Sequence, residues 1–124
     1  MGQGTELQGR RILVVEDDFV VAQALCGLIE EAGATAVGPI GWADEALAYI
    51  QSNKDAFNGV VLDVNLHGQK SYPIADWLTE NSVDFVFTTG YGAEALDPAY
   101  AGCPRCEKPF DPRVLFRLLG SSAL

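Results

Sequence analysis

The feature that most constrains the fold is an alternation of short apolar runs with segments of helical periodicity. The runs RILVV and GVVLD are continuously apolar, which is typical of strands buried on both faces of a sheet. Between such runs, apolar residues recur every four positions, as at Val20, Ala24 and Leu28. The pattern predicts strands over 11–15, 35–37, 59–63 and 83–88 and a short one before Lys108, and helices over 19–32, 42–50, 72–79 and from Pro112 onward, with Asp18, Ser71 and Asp111 as N-caps.

Five β-α units in sequence favour a parallel sheet with helices on both faces. We therefore predict a flavodoxin-like (βα)5 three-layer sandwich with strand order 2-1-3-4-5. A chain of 124 residues suits one domain, over 10–124, after a flexible tail over 1–9. The β-α pattern is weakest over 90–102, where the fourth helix is expected. Its pattern is poor and Asp97 precedes a proline, so we expect it to be loosely ordered at rest.

The composition of the chain limits the classes of partner that the protein is expected to bind. The formal charge of -9 disfavours direct binding to nucleic acid or to an anionic membrane surface. We find neither a signal-peptide region nor an apolar stretch long enough to span a membrane, which predicts a cytoplasmic protein. Cys103 and Cys106 have the spacing of a zinc or redox pair. A zinc site needs about four ligands and the chain has one His, so we expect an incidental pair.

Polar residues end the apolar runs, at what would be the carboxyl edge of the sheet. Ligand sites of open α/β sheets lie at this edge. Clustered carboxylates there could hold Mg²⁺, and one could act as a nucleophile towards phosphorus. Each residue alone has a simpler explanation, such as a helix cap for Asp18 or a surface lysine for Lys108, so the argument depends on the ordered set. That set is Glu16, Asp17, Asp18, Asp63, Thr88, Thr89 and Lys108.

Four short motifs occur in order along the chain: ILVVEDD, VVLDVNL, TTG and EKPF. Together they resemble the receiver domain of bacterial response regulators, over about 11–119. The motif FVFTTGYG resembles the FATGY-type single-domain regulators of alphaproteobacteria. The chain departs from the usual pattern at Thr88, where that motif has Ala, and at Arg105, where most receivers have an aromatic residue.

The resemblance implies a role for each site residue. Asp63 would be the phosphoacceptor, Thr89 the switch hydroxyl, and Lys108 a contact to the phosphoryl group. Mg²⁺ would be bound by Asp17 and Asp63, by Glu16 more weakly through water, and by the backbone carbonyl of Asn65. It also implies a cis peptide between Lys108 and Pro109. The phosphoryl donor would be a sensor histidine kinase or a histidine phosphotransfer protein. The protein would then signal to a downstream protein partner by contact or by onward transfer.

Three other functions were weighed against this one. A phosphorylation-independent adaptor would need neither the acids nor Lys108. A flavodoxin-like electron carrier would need a phosphate-cradling loop after the first strand, where this chain has EDD. A haloacid-dehalogenase phosphatase would have a second Asp two residues after its nucleophile, where this chain has Asn65. The expectation is thus a phosphoacceptor rather than an enzyme, with only self-catalysed phosphoryl transfer and autodephosphorylation.

Overall fold

The computed structural model describes residues 7–90, 96–108 and 110–120. The strands and helices alternate as the apolar runs predict. In chain order they are β1 (Arg11–Val15), α1 (Phe19–Glu31), β2 (Thr35–Ile40), α2 (Ala43–Ser52), β3 (Gly59–Asp63), β4 (Asn65–Leu66), β5 (Gln69–Lys70), α3 (Tyr72–Glu80), β6 (Phe85–Thr89), a 3-10 helix (Pro98–Tyr100), β7 (Arg105–Glu107) and α4 (Pro112–Gly120).

The main sheet has the order β2-β1-β3-β6-β7, and every neighbouring pair in it is parallel. The short strands β4 and β5 pair only with each other, as an antiparallel hairpin. Leaving that hairpin aside, the order is the predicted 2-1-3-4-5. The flavodoxin-like fold class is therefore confirmed.

Two apolar cores flank the sheet, because successive side chains of a strand point to opposite faces. On one face, Leu13 and Leu62 pack with residues of α2 and α3. On the other face, Ile12 and Val61 pack with residues of α1 and α4. Burying one such aliphatic side chain contributes about 1.5–3 kcal/mol. This double burial explains why the strand sequences are continuously apolar rather than alternating.

The three predicted N-cap residues immediately precede α1, α3 and α4, and two of them make side-chain cap hydrogen bonds. Asp18 accepts hydrogen bonds from the amides of Val20 and Val21, and Asp111 accepts one from the amide of Arg113. Ser71 precedes α3 but makes no side-chain cap. Its hydroxyl instead donates to the carbonyl oxygen of Asp63 at 2.6 Å. Ser71 thus occupies the predicted N-cap position, but its hydroxyl makes no cap hydrogen bond because it has this buried tertiary partner.

The fourth β-α unit differs most from expectation. Among the described residues between β6 and β7, the helical element is one 3-10 turn rather than an α-helix. Asp97 caps this turn by accepting from the amide of Ala99, and Pro98 occupies its first position. Leu96 is buried and the Tyr100 ring stacks on Tyr72. The described part of the segment, 96–102, is thus packed, and residues 91–95 lie outside the described residues.

The packed region begins before the predicted boundary at residue 10. Leu7 is fully buried, and its amide donates to the carbonyl of Ala32 at 3.0 Å. Residues 1–6, where the rest of the predicted tail falls, lie outside the described residues, as does Pro109 with its expected cis peptide. Within the described part of the chain, no helix is long and apolar enough to cross a membrane.

Candidate functional site

Three carboxylates meet at the carboxyl edge of the sheet. Glu16 and Asp17 follow β1, and Asp63 ends the neighbouring strand β3. One carboxylate oxygen from each lies within 4.8 Å of those of the other two. Glu16 and Asp63 are only 3% and 5% exposed, whereas Asp17 is partly exposed. Parallel pairing of β1 and β3 brings these acids together, although more than forty positions of sequence separate them.

Lys108 reaches this cluster from the end of β7, which lies two strands away from β3 in the sheet. Its Nζ lies 2.9 Å from Asp63 Oδ2, to which it donates a hydrogen bond, and 2.9 Å from Glu16 Oε1. The second contact is an ion pair without the angles of a hydrogen bond. The amide of Lys108 donates to the carbonyl of Thr89 at 2.9 Å, which anchors the lysine at the end of β6. One ammonium therefore contacts two of the three carboxylates of the cluster.

The electrostatics reflect this imbalance of charge. Burial raises the pKa of Glu16 to about 7, while Lys108 and the amide of Asp18 lower it and Asp63 raises it further. For Lys108, burial lowers the pKa, but the contacts with Glu16 and Asp63 more than offset burial and leave the pKa above its usual value. The cluster thus keeps its lysine charged and holds surplus negative charge. An added cation would relieve that repulsion.

Asn65 and the two threonines lie at the same edge. The Asn65 amide donates to Asp63 Oδ1 at 3.0 Å, so its backbone lies beside the cluster. Thr88, not Thr89, is the register partner of Asp63. Thr88 is fully buried, and its hydroxyl has no hydrogen-bond partner among the described residues. Within those same residues, no hydrogen bond joins the Thr89 hydroxyl to Asp63.

The hairpin β4–β5 carries a contact that the sequence did not predict, since none of the predicted strands lies between residues 64 and 71. His67 and Gly68 form its two-residue turn, with φ values of 50° and 85°. The His67 amide donates to Asp17 Oδ2 at 2.8 Å, and its ring stacks on Trp42. The dipeptide His-Gly was the available signal, because both residues tolerate positive φ better than most.

The two cysteines of the C-x-x-C pair lie elsewhere. Both are free thiols, and burial raises the pKa of each, which favours the protonated form over a metal-binding thiolate. Among the described residues, the one group of His, Cys, Asp or Glu with metal-binding spacing is Glu16, Asp17 and Asp63.

Comparison with known proteins places the chain in a family. No protein-family model and no curated protein sequence matches the chain. Among solved structures, SdrG from Sphingomonas melonis Fr1 is 31% identical with a TM-score of 0.81, over 96% of this chain and 98% of that chain. The BeF3-activated conformation of SdrG is 30% identical with a TM-score of 0.75, over 98% of each chain.

The response regulator PhyR from Brucella abortus is also similar in structure. It is 24% identical with a TM-score of 0.77, over 95% of this chain and 49% of that chain, so it supports the fold alone. The similarity to SdrG extends over nearly the whole length of both chains. Given the shared fold, the acid cluster and this similarity, the chain belongs to the response-regulator receiver family.

Proposed function

We propose that the protein accepts a phosphoryl group on Asp63 from a phosphohistidine of a sensor kinase or a histidine phosphotransfer protein, with Mg²⁺. It then signals by contact with a protein partner or by onward transfer. The observation that carries this proposal is the position of the Asp63 carboxylate, between Lys108 Nζ at 2.9 Å and the carboxylates of Glu16 and Asp17. A protein partner also suits a surface with a formal charge of -9 better than nucleic acid does.

The residues present fit Mg²⁺. This cation prefers oxygen ligands, keeps several waters, and is commonly held by one or two carboxylates together with a phosphate. Asp17 and Asp63 would bind it directly, Glu16 through water, and Asn65 through its backbone carbonyl. The raised pKa of Glu16, caused mainly by burial, shows that the site disfavours its own negative charge. When bound, Mg²⁺ neutralises negative charge on the phosphoryl oxygens.

The side chains of the protein would then carry out the transfer. An oxygen of Asp63 attacks phosphorus, the P–N bond of the phosphohistidine breaks, and its electron pair stays with the imidazole nitrogen. Lys108, already bonded to Asp63 Oδ2, moves its hydrogen bond to a phosphoryl oxygen. The Thr89 hydroxyl, at the end of β6, donates to another. Autodephosphorylation is attack on the same phosphorus by water, which releases inorganic phosphate and the Asp63 carboxylate.

Intact mass after incubation with acetyl phosphate and Mg²⁺ tests the proposal. We expect one added phosphoryl group in the wild type and in Asp55→Asn, a matched control at an exposed aspartate. We expect none in Asp63→Asn or in wild type treated with a chelator. Undiminished phosphorylation of Asp63→Asn would contradict the assignment of Asp63. Absence of phosphorylation in every sample would favour an adaptor that does not use the acid cluster.

A further inference from the structure

We infer that Trp42 and His67 act together as positioning residues that hold the Asp17 carboxylate ready for a cation, an inference that rests on the proposed Mg²⁺ site. Neither residue belongs to the acid cluster itself. They join two loops above it, the one after β2 and the turn between β4 and β5. The inference depends on the contact between them and on its connection to Asp17.

The contact is a parallel ring stack. The ring centroids of Trp42 and His67 are 3.6 Å apart and the planes differ by 14°. The chain segments also come close together at the same place. A Cβ on Gly41, beside Trp42, would lie 3.4 Å from Asp17 Cα and 3.7 Å from His67 Nε2. The loops that follow β1, β2 and β3 therefore touch at this point.

The stack is connected to the carboxylate through the backbone of the turn. His67 has a φ of 50°, a conformation that a residue with a side chain adopts at some cost in free energy. Stacking on Trp42 offsets that cost and holds the turn in place. The amide of His67 then donates to Asp17 Oδ2 at 2.8 Å. This bond occupies one oxygen of the carboxylate and leaves the other available to a cation.

The position of Trp42 gives independent support. It is the residue before α2, where Ser, Thr, Asp or Asn would stabilise the helix by accepting an amide hydrogen bond. Trp42 makes no such bond, and it is 50% exposed, so it contributes little as a cap or as a core residue. The stack on His67 is the contact that accounts for a tryptophan here.

Calorimetric titration of the full chain with Mg²⁺, without a phosphoryl donor, tests the inference. The samples are wild type, Trp42→Ala, His67→Ala, the double variant and Trp42→Phe. Aromatic pairs of this kind predict Mg²⁺ affinity about three- to tenfold weaker in each single alanine variant. The double variant should bind no more weakly than the weaker single, because either change breaks the same stack. Trp42→Phe keeps a ring at an extended backbone position and should bind within about twofold of wild type.

Phe19→Ala is the matched control, since Phe19 is 70% exposed and only two residues from Asp17 but lies outside the stack. It should leave the affinity unchanged. If wild type binds Mg²⁺ and the alanine variants bind equally well, this inference is overturned while the proposed function stands. Additive losses in the double variant, or an affinity of Trp42→Phe as weak as that of Trp42→Ala, would also overturn it. If wild type itself does not bind Mg²⁺, the proposed metal site fails and the inference fails with it.

Discussion

Two regions next to each other along β6 are held together by different interactions. The acid cluster of Glu16, Asp17, Asp63 and Lys108 gathers buried charges with an excess of negative charge. The aromatic cluster of Tyr72, Phe87 and Tyr100 is held by ring contacts. The rings of Tyr72 and Tyr100 stack at 4.2 Å, and Phe87 meets both edge-on.

The hydrogen bonds of the aromatic cluster complete the contrast. The hydroxyl of Tyr100 donates to Asp76 at 2.7 Å, which raises the pKa of Tyr100 to about 12. The hydroxyl of Tyr72 accepts from the amide of Asp97 at 2.9 Å. These contacts join α3 to the segment that replaces the fourth helix. Both tyrosine hydroxyls of the cluster thus have hydrogen-bond partners within the protein itself.

The difference indicates what each region is for. In the acid cluster, burial disfavours the charged carboxylates and the like charges repel each other. A cation or a phosphoryl group would therefore change the free energy of this region strongly. The aromatic cluster is already satisfied and mainly contributes stability. Strand β6 joins them, because Phe87 lies in the aromatic cluster and Thr89, two residues later, ends at the acid cluster. Three experiments test how far the two regions differ.

The largest effect is expected from removing the only cation that contacts Glu16 and Asp63 among the described residues. Lys108→Met should lower the free energy of unfolding of the metal-free protein by about 3 kcal/mol, because two buried carboxylates lose their partner. Urea unfolding measures this, and Mg²⁺ should restore much of the loss. Arg113→Met is the control, since Arg113 pairs with Asp111 at the surface and its side chain is 89% exposed. A loss of under about 1 kcal/mol for Lys108→Met would mean that the cluster carries little repulsion.

The second experiment uses pH to test the free-energy cost of burying the charge of Glu16 in the acid cluster. Burial raises the pKa of Glu16 to about 7 from 4.5, so the folded state binds this proton more tightly than the unfolded state. The stability that Glu16 contributes is therefore fully present below pH 4.5 and is lost as pH rises through about 7. Glu16→Gln cannot titrate. In the absence of metal, its stability advantage over wild type should grow from near zero at low pH to the order of 2–3 kcal/mol at about pH 8.

Thermal or urea unfolding at a series of pH values measures that difference. A gap between Glu16→Gln and wild type that stays constant with pH would show that Glu16 is not perturbed. Addition of Mg²⁺ should shrink the gap above pH 7, because the bound cation favours the charged carboxylate of the wild type.

The smallest effect is expected in the aromatic cluster. Tyr100→Ala removes the stack on Tyr72, the edge contact with Phe87 and the bond to Asp76, and should cost about 2 kcal/mol of stability. Tyr100→Phe keeps the rings and should cost under about 1 kcal/mol. Neither should change the affinity for Mg²⁺. A change of more than about threefold in that affinity would show that the two regions are coupled at rest through β6.

Much of this protein could be predicted from local pattern. Continuous apolar runs identified β1 and β3, and helical spacing identified α1, because burial on one or two faces leaves a period in the sequence itself. The polar ends of those runs pointed to Glu16, Asp17, Asp63 and Lys108, since parallel strands must end at a common edge. Loose order of 90–102 stays a prediction. Local pattern did not reveal the contacts that Tyr100 of this segment makes with Tyr72 and Asp76 on α3.

The sequence by itself therefore determined the sheet, its strand order and the convergence of charge at one edge, all of which follow from periodicity and from the rules of parallel pairing. Only the tertiary structure decided which contacts hold that edge together. In the folded protein the hydroxyl of Ser71 donates a hydrogen bond to the carbonyl oxygen of Asp63 and makes no cap bond to α3. The amide of His67 donates to the carboxylate of Asp17. The physical reason is that these bonds join different elements of the fold, eight positions apart for Ser71 and Asp63 and fifty for His67 and Asp17. Short-range propensity has no information about a partner that folding alone brings within 3 Å.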